Sequence, residues 1–192
     1  EGAAEYVRLV TGLAFDGKVT MQNGGQLNRL PGWDQQLTSD TRSVTGQLLQ
    51  PAMMDFANGQ DQYLATRDDS VRTQDGSARK GLTSTEMTNL LSAVANRQTE
   101  NSQVKDWDTG IGQWVPKPGE SLRYTMAKIE EMTAKGWSIP VLLSVRPDRA
   151  FGHYQLITKI EGDTVYTLNP WGQEQPMSKQ LFEQRLIASF FQ

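Results

Sequence analysis

Two β-rich runs meet at a two-residue turn near the end of the chain, and this hairpin limits the fold more than any other stretch. The runs are Tyr154 to Ile160 and Thr164 to Leu168, with Gly162-Asp163 between them. Alternating β-branched and aromatic residues on both sides of a Gly-Asp pair predict two antiparallel strands. His153, the sole histidine, stands at the start of the first strand, and Asn169 just past the end of the second. An antiparallel pair therefore carries both side chains to the same end of a sheet. An amide oxygen that accepts the proton of one ring nitrogen fixes the imidazole tautomer and leaves the other nitrogen for proton transfer.

The rest of the chain reads as helices first and strands last. Tyr6 to Val10 and Lys18 to Met21, with Asp16-Gly17 between them, suggest an N-terminal hairpin within residues 1–32. Trp33 to Gln36 then leads toward a helix over Ser39 to Gly59, with Ser39, Asp40 and Ser43 as candidate caps. Pro51 inside it lacks an N–H and should kink the helix or confine its regular part to one side. Asp61 to Lys80 is polar and reads as a solvated loop or a short marginal element.

Thr83-Ser84-Thr85-Glu86 is a capping box, followed by Met87, Leu90, Leu91 and Val94 at helical spacing. Arg97 to Gly119 reads as a long polar connection holding Trp107 and Trp114, which either line a binding surface or pin the segment to the core. Leu122, Met126, Ile129 and Met132 mark another helix, stopped by Gly136, and Ile139 to Val145 a buried strand. Ser178 can cap a short final helix before Ala188 to Phe191. The order predicts an α+β class in one domain spanning 1–192.

Composition removes several functions. A formal net charge of -3, with no dense run of Lys or Arg, argues against a nucleic-acid partner. No apolar run approaches the ~20 residues that span a bilayer. The opening Glu1-Gly2-Ala3-Ala4-Glu5 resembles neither a signal nor a transit peptide, so the chain reads as a soluble piece of something longer. With no cysteine and one histidine, disulfides and thiolate metal sites are excluded, a zinc site is disfavoured, and no cofactor is called for.

Several motifs, taken in order, resemble the papain-like cysteine peptidases, and within them the branch similar to bacteriocin-processing peptidases. They are the capped helix at Thr83 to Glu86, Gly136-Trp137-Ser138-Ile139-Pro140-Val141 leading into a buried strand, Gly152-His153-Tyr154, and Asp163-Thr164-Val165-Tyr166. Asn169-Pro170-Trp171-Gly172 is similar to the Asn-Pro-Trp-Gly of calpains.

The resemblance implies an N-terminal helix packed on a C-terminal antiparallel sheet, with His153 as general base, Asn169 as its orienter and Trp171 shielding the pair. It also implies a cysteine at the start of the first long helix, where the helix dipole favours the thiolate. Alignment from the helix end, through Met53 and Gly59, places that position at Gly46, with Ser43 as the rival. Gln36 or Gln35 would be the oxyanion donor.

The implied function is acyl transfer at a peptide or protein amide, inactive in a chain whose nucleophile is replaced. Deamidation of a host glutamine, as by toxins and effectors delivered from a bacterium, is a second reading on the same fold. A natural pseudo-peptidase that binds a peptide or partner protein is a third.

Overall fold

The computed structural model describes residues 2–30, 44–59, 62–63, 70–119, 121–170 and 172–192. These fall into two units, Glu1–Thr99 and Glu100–Gln192.

Unit 1 runs α1 (Gly2–Phe15), β1 (Lys18–Thr20), β2 (Gln26–Asn28), α2 (Val44–Asn58), β3 (Gln62–Tyr63), β4 (Ser70–Arg72), β5 (Ala78–Lys80) and α3 (Ser84–Ala95). The expected pairing of Tyr6 to Val10 with Lys18 to Met21 does not form. Tyr6 to Val10 lies within α1, because Leu9 and Leu13 recur four residues apart and bury one helical face. The hairpin instead joins β1 to β2, with Val19 opposite Leu27 as its inward pair. Gly12 lets this hairpin approach α1, since a Cβ there would lie 2.3 Å from Val19 Cγ2. Leu9, Leu13, Val19, Met21, Leu27, Leu49, Ala52 and Ala93 make the core of the unit.

Helix α2 continues through Pro51 from Val44 to Asn58. Ser39, Asp40, Ser43 and Trp33 to Gln36 lie outside the described residues. The polar stretch before α3 is more regular than its composition suggests: β3, β4 and β5 form an antiparallel sheet anchored by fully buried Val71. The capping box of α3 is present in both directions, and the helix ends at Asn96 in the left-handed region, φ 51°.

Unit 2 runs β6 (Glu100–Gln103), β7 (Lys105–Asp108), β8 (Gln113–Pro116), α4 (Ser121–Ala134), β9 (Ile139–Ser144), β10 (Gly152–Glu161), β11 (Thr164–Leu168), β12 (Glu174–Ser178), α5 (Lys179–Arg185) and β13 (Leu186–Phe191). Six of its strands form one sheet in the order β12-β11-β10-β9-β13-β6, antiparallel at each pairing. The fold class is therefore α+β with a mainly antiparallel sheet.

Arg97 to Gly119, expected as a connection, instead supplies an edge strand and a two-stranded ribbon. β6 has no large apolar residue of its own, and pairing with the fully buried β13 holds it in the sheet. Alternation along β9 turns Ile139, Val141 and Leu143 to one face, where they meet Met126 and Ile129 of α4 and Phe182 of α5. None of the described helices is long and apolar enough to cross a membrane.

Candidate functional site

The hairpin forms as its turn chemistry dictates, with Gly162 at φ 56° between Glu161 and Thr164. On one side β10 pairs His153 with Leu143, Gln155 with Val141 and Ile157 with Ile139. On the other it pairs Leu156 with Leu168 and Ile157 with Thr167. One further step along that register sets Asn169 opposite Gln155. Facing residues on paired strands share a sheet face, so His153, Gln155 and Asn169 lie on the face that carries Val141, Leu143 and Ile157. Asn169 is the diagonal neighbour of His153, at a spacing of ~7–8 Å between backbones that long or planar side chains can bridge.

Asn169 is only 4% exposed, and His153 is half-buried with its Nε2 shielded from solvent. The Asn169 amide oxygen accepts the Gln173 N–H at 3.1 Å, while its backbone N–H donates to the Gln173 carbonyl at 3.1 Å and its carbonyl accepts from Gly172 N–H at 3.0 Å. Asn169 thus closes the turn that follows β11, in which Gly172 takes φ 81°. An amide oxygen has two lone pairs, so the Gln173 bond uses half of its acceptor capacity.

The loop from Val145 to Phe151 leads directly into His153 and is braced at three points. Ser144 Oγ donates to the Arg146 carbonyl at 2.9 Å, and Arg149 N–H to the same carbonyl at 3.3 Å. Trp114 Nε1–H donates to the Arg149 carbonyl at 2.8 Å. Trp114 faces Trp107 across the β7–β8 ribbon in an edge-to-face pair, with centroids 5.5 Å apart at 69°. The two tryptophans, predicted to bind or to pin, hold each other, and Trp114 holds the loop that precedes the histidine.

Gly46 occupies the first turn of α2, in unit 1. Helix α1 precedes α2, so the Gly46 helix is the second long helix of the chain. Ser43, Gln35, Gln36 and Trp171 lie outside the described residues. Sequence reasoning overlooked Gln155, although it stands two residues after His153 and shares its face by strand alternation. Among the described residues, no group of three or more His, Cys, Asp or Glu side chains could hold a metal ion. No family model, curated protein or solved structure matches the chain.

Proposed function

We propose that the chain is a papain-like acyl-transfer domain acting on a peptide or protein amide, with the cysteine position of its active form occupied by another residue. The observation that carries this reading is the register of β10 and β11, which sets the sole imidazole and a buried asparagine amide on one sheet face as diagonal neighbours. An imidazole so oriented can take a proton from a thiol, and the amide oxygen can hold the ring tautomer through the transfer. Gly46, in the first turn of α2, is where a thiolate would gain from the helix N-terminus.

The test restores the nucleophile. Gly46→Cys and Ser43→Cys are made separately and treated with a thiol-directed amide probe. Acylation of one variant, lost when His153→Ala is added, supports the reading; no acylation in either variant refutes it.

Absence of cysteine favours a second reading, in which the same surface binds a peptide without cutting it. Saturable peptide binding by the unaltered chain, with no acylation in either cysteine variant, selects this reading. Where acylation does occur, mass spectrometry of a treated target separates cleavage into two fragments from deamidation, a gain of about one mass unit on an intact chain.

A further inference from the structure

Gln155 carries an amide oxygen that is buried and makes no hydrogen bond. Such a group costs free energy, and an acceptor kept without a donor calls for a reason beyond packing. Its place supplies one. Two residues along a strand are ~7 Å apart on the same face, within reach of an imidazole and a glutamine side chain turned toward each other. Gln155 therefore stands beside His153 along β10 and opposite Asn169 across the pairing with β11.

A neutral imidazole has one N–H; the imidazolium that forms when it accepts a proton has two, and the second needs an acceptor. Among the described residues of β9, β10 and β11, none on the face around His153 carries a carboxylate. The positions on that face are Ile139, Val141 and Leu143 on β9, Ile157 on β10, Val165 and Thr167 on β11, and Asn169 just past its end. The cluster on that face also holds Met126 and Ile129 of α4, Phe182 of α5, Leu186 and Phe191 of β13, and Val104, and the buried Ser189 of β13 stands opposite Val141. The charged groups nearest in the chain are Arg146, Asp148 and Arg149 of the exposed loop ahead of His153, and Lys159 on β10, which pairs with Tyr166 on the opposite sheet face. Asn169 already spends one lone pair on Gln173.

We propose that Gln155 is a positioning residue for His153, its amide oxygen accepting the second ring N–H when the imidazole becomes imidazolium. The proton taken up at the ring stays there; Gln155 exchanges none and holds the charged ring in place. The inference rests on the reading of His153 as a base, and it identifies the group that stabilises that base in its charged form.

The sole histidine makes the test direct, because every imidazole signal in a long-range ¹H–¹⁵N spectrum belongs to His153. Replacing the acceptor in Gln155→Met should lower the proton affinity of the ring about three- to tenfold, and Gln155→Glu, which restores an acceptor and adds charge, should raise it above that of the unaltered chain. Backbone amide spectra establish that each variant is folded. If the methionine variant does not fold, Gln155→Ala removes the same oxygen without filling its space.

A His153 titration unchanged by Gln155→Met, or lowered equally by Gln155→Met and Gln155→Glu, overturns the proposal. The outcome is independent of the cysteine variants. A Gln155-dependent titration without acylation sinks the acyl-transfer reading and leaves this one standing; acylation with a Gln155-independent titration does the reverse.

Discussion

Glu86 joins three parts of unit 1, and its removal should cost more than any other single change on the surface of α3. One carboxylate oxygen accepts the Thr83 N–H at 2.7 Å and the Thr83 hydroxyl at 3.0 Å; the other receives the Arg79 guanidinium, which also donates to Asn58 Oδ1 at 3.3 Å. Thr83→Ala deletes the bond from Glu86 N–H, 3.2 Å long, at a cost of about 1 kcal/mol. Glu86→Ala deletes the reciprocal cap, again about 1 kcal/mol, and takes from Arg79 its carboxylate partner while leaving its bonds to Asn58 and the Gly81 carbonyl.

The Arg79 and Glu86 side chains are only 24% and 16% exposed, so the lost charged hydrogen bond adds about 2 kcal/mol. The sum, about 3 kcal/mol, should accelerate exchange of the α3 amides about 100-fold where they exchange through opening of the unit, against about fivefold for Thr83→Ala. Glu86→Gln keeps an acceptor for Thr83 N–H and should fall between the two. Hydrogen exchange read by mass spectrometry on peptides within residues 84–95 measures all three. Exchange in Glu86→Ala no faster than in Thr83→Ala would show that the Arg79 contact stabilises nothing, and would refute the reasoning.

Phe182, fully buried in the unit 2 core, should cost about 3–5 kcal/mol when changed to alanine, read as a fall in the urea midpoint by tryptophan fluorescence; a loss under about 1 kcal/mol contradicts the packing described. Four of the five tryptophans lie within residues 100–192, which makes that signal specific to the unit. Asp75 accepts from Thr73 Oγ1 at 2.5 Å, Ser77 N–H at 3.0 Å and Ser77 Oγ at 2.8 Å, which lowers its carboxyl to about 2. The folded value lies below the ordinary 3.8, so the stabilisation is complete above 3.8 and is lost as pH falls toward 2. Exchange at the β4–β5 turn should accelerate across that window in the unaltered chain and not in Asp75→Asn, and equal pH dependence in both would exclude the assignment. Trp114→Phe keeps the ring pair but loses the donor to Arg149, so amides of residues 145–151 should exchange faster while those of β9 do not; unchanged loop exchange would show the brace to be idle.

Legibility followed the local strength of the signal. The capping box, the Gly162-Asp163 turn, the Gly136 stop at φ 83° and the Ser178 cap are written in residues within four positions of one another, and each appears where it was read. Strand β6 was not legible because its stability comes from a partner distant in the chain, and the β3–β4–β5 sheet because its strands are only two or three residues long, too short to show a period of two. Glu100 to Gln103 becomes a strand only because Ala188 to Phe191 lies beside it. Tyr6 to Val10 misled for a related reason: a short apolar run fits strand and helix equally, and only Leu9 with Leu13 reveals the helical period. At the site, one histidine and one asparagine were visible by residue type, whereas Gln155 carried only the signal of strand alternation with His153 until the register placed it across from Asn169.

That register also divides the work at the site. Asn169 is tied to Gln173 and Gly172, so its side chain serves the turn whether or not the ring needs an acceptor, and its position is held by backbone bonds on both sides. Gln155 has no such duty, and its oxygen is buried at a price in stability that the turn does not recover. A residue that does structural work holds its geometry through a change of charge, while a residue with an open acceptor is stabilised by that change. On the proposed reading, Asn169 orients the neutral ring and Gln155 meets the charged one. Neither substitution alone should reproduce the other: Asn169→Ala should loosen the turn at Gly172 and shift the neutral tautomer, and Gln155→Met should leave the turn intact and weaken proton uptake. Ring ¹⁵N shifts at high pH, set beside the titration itself, separate the two effects, and identical responses to both substitutions would exclude the division.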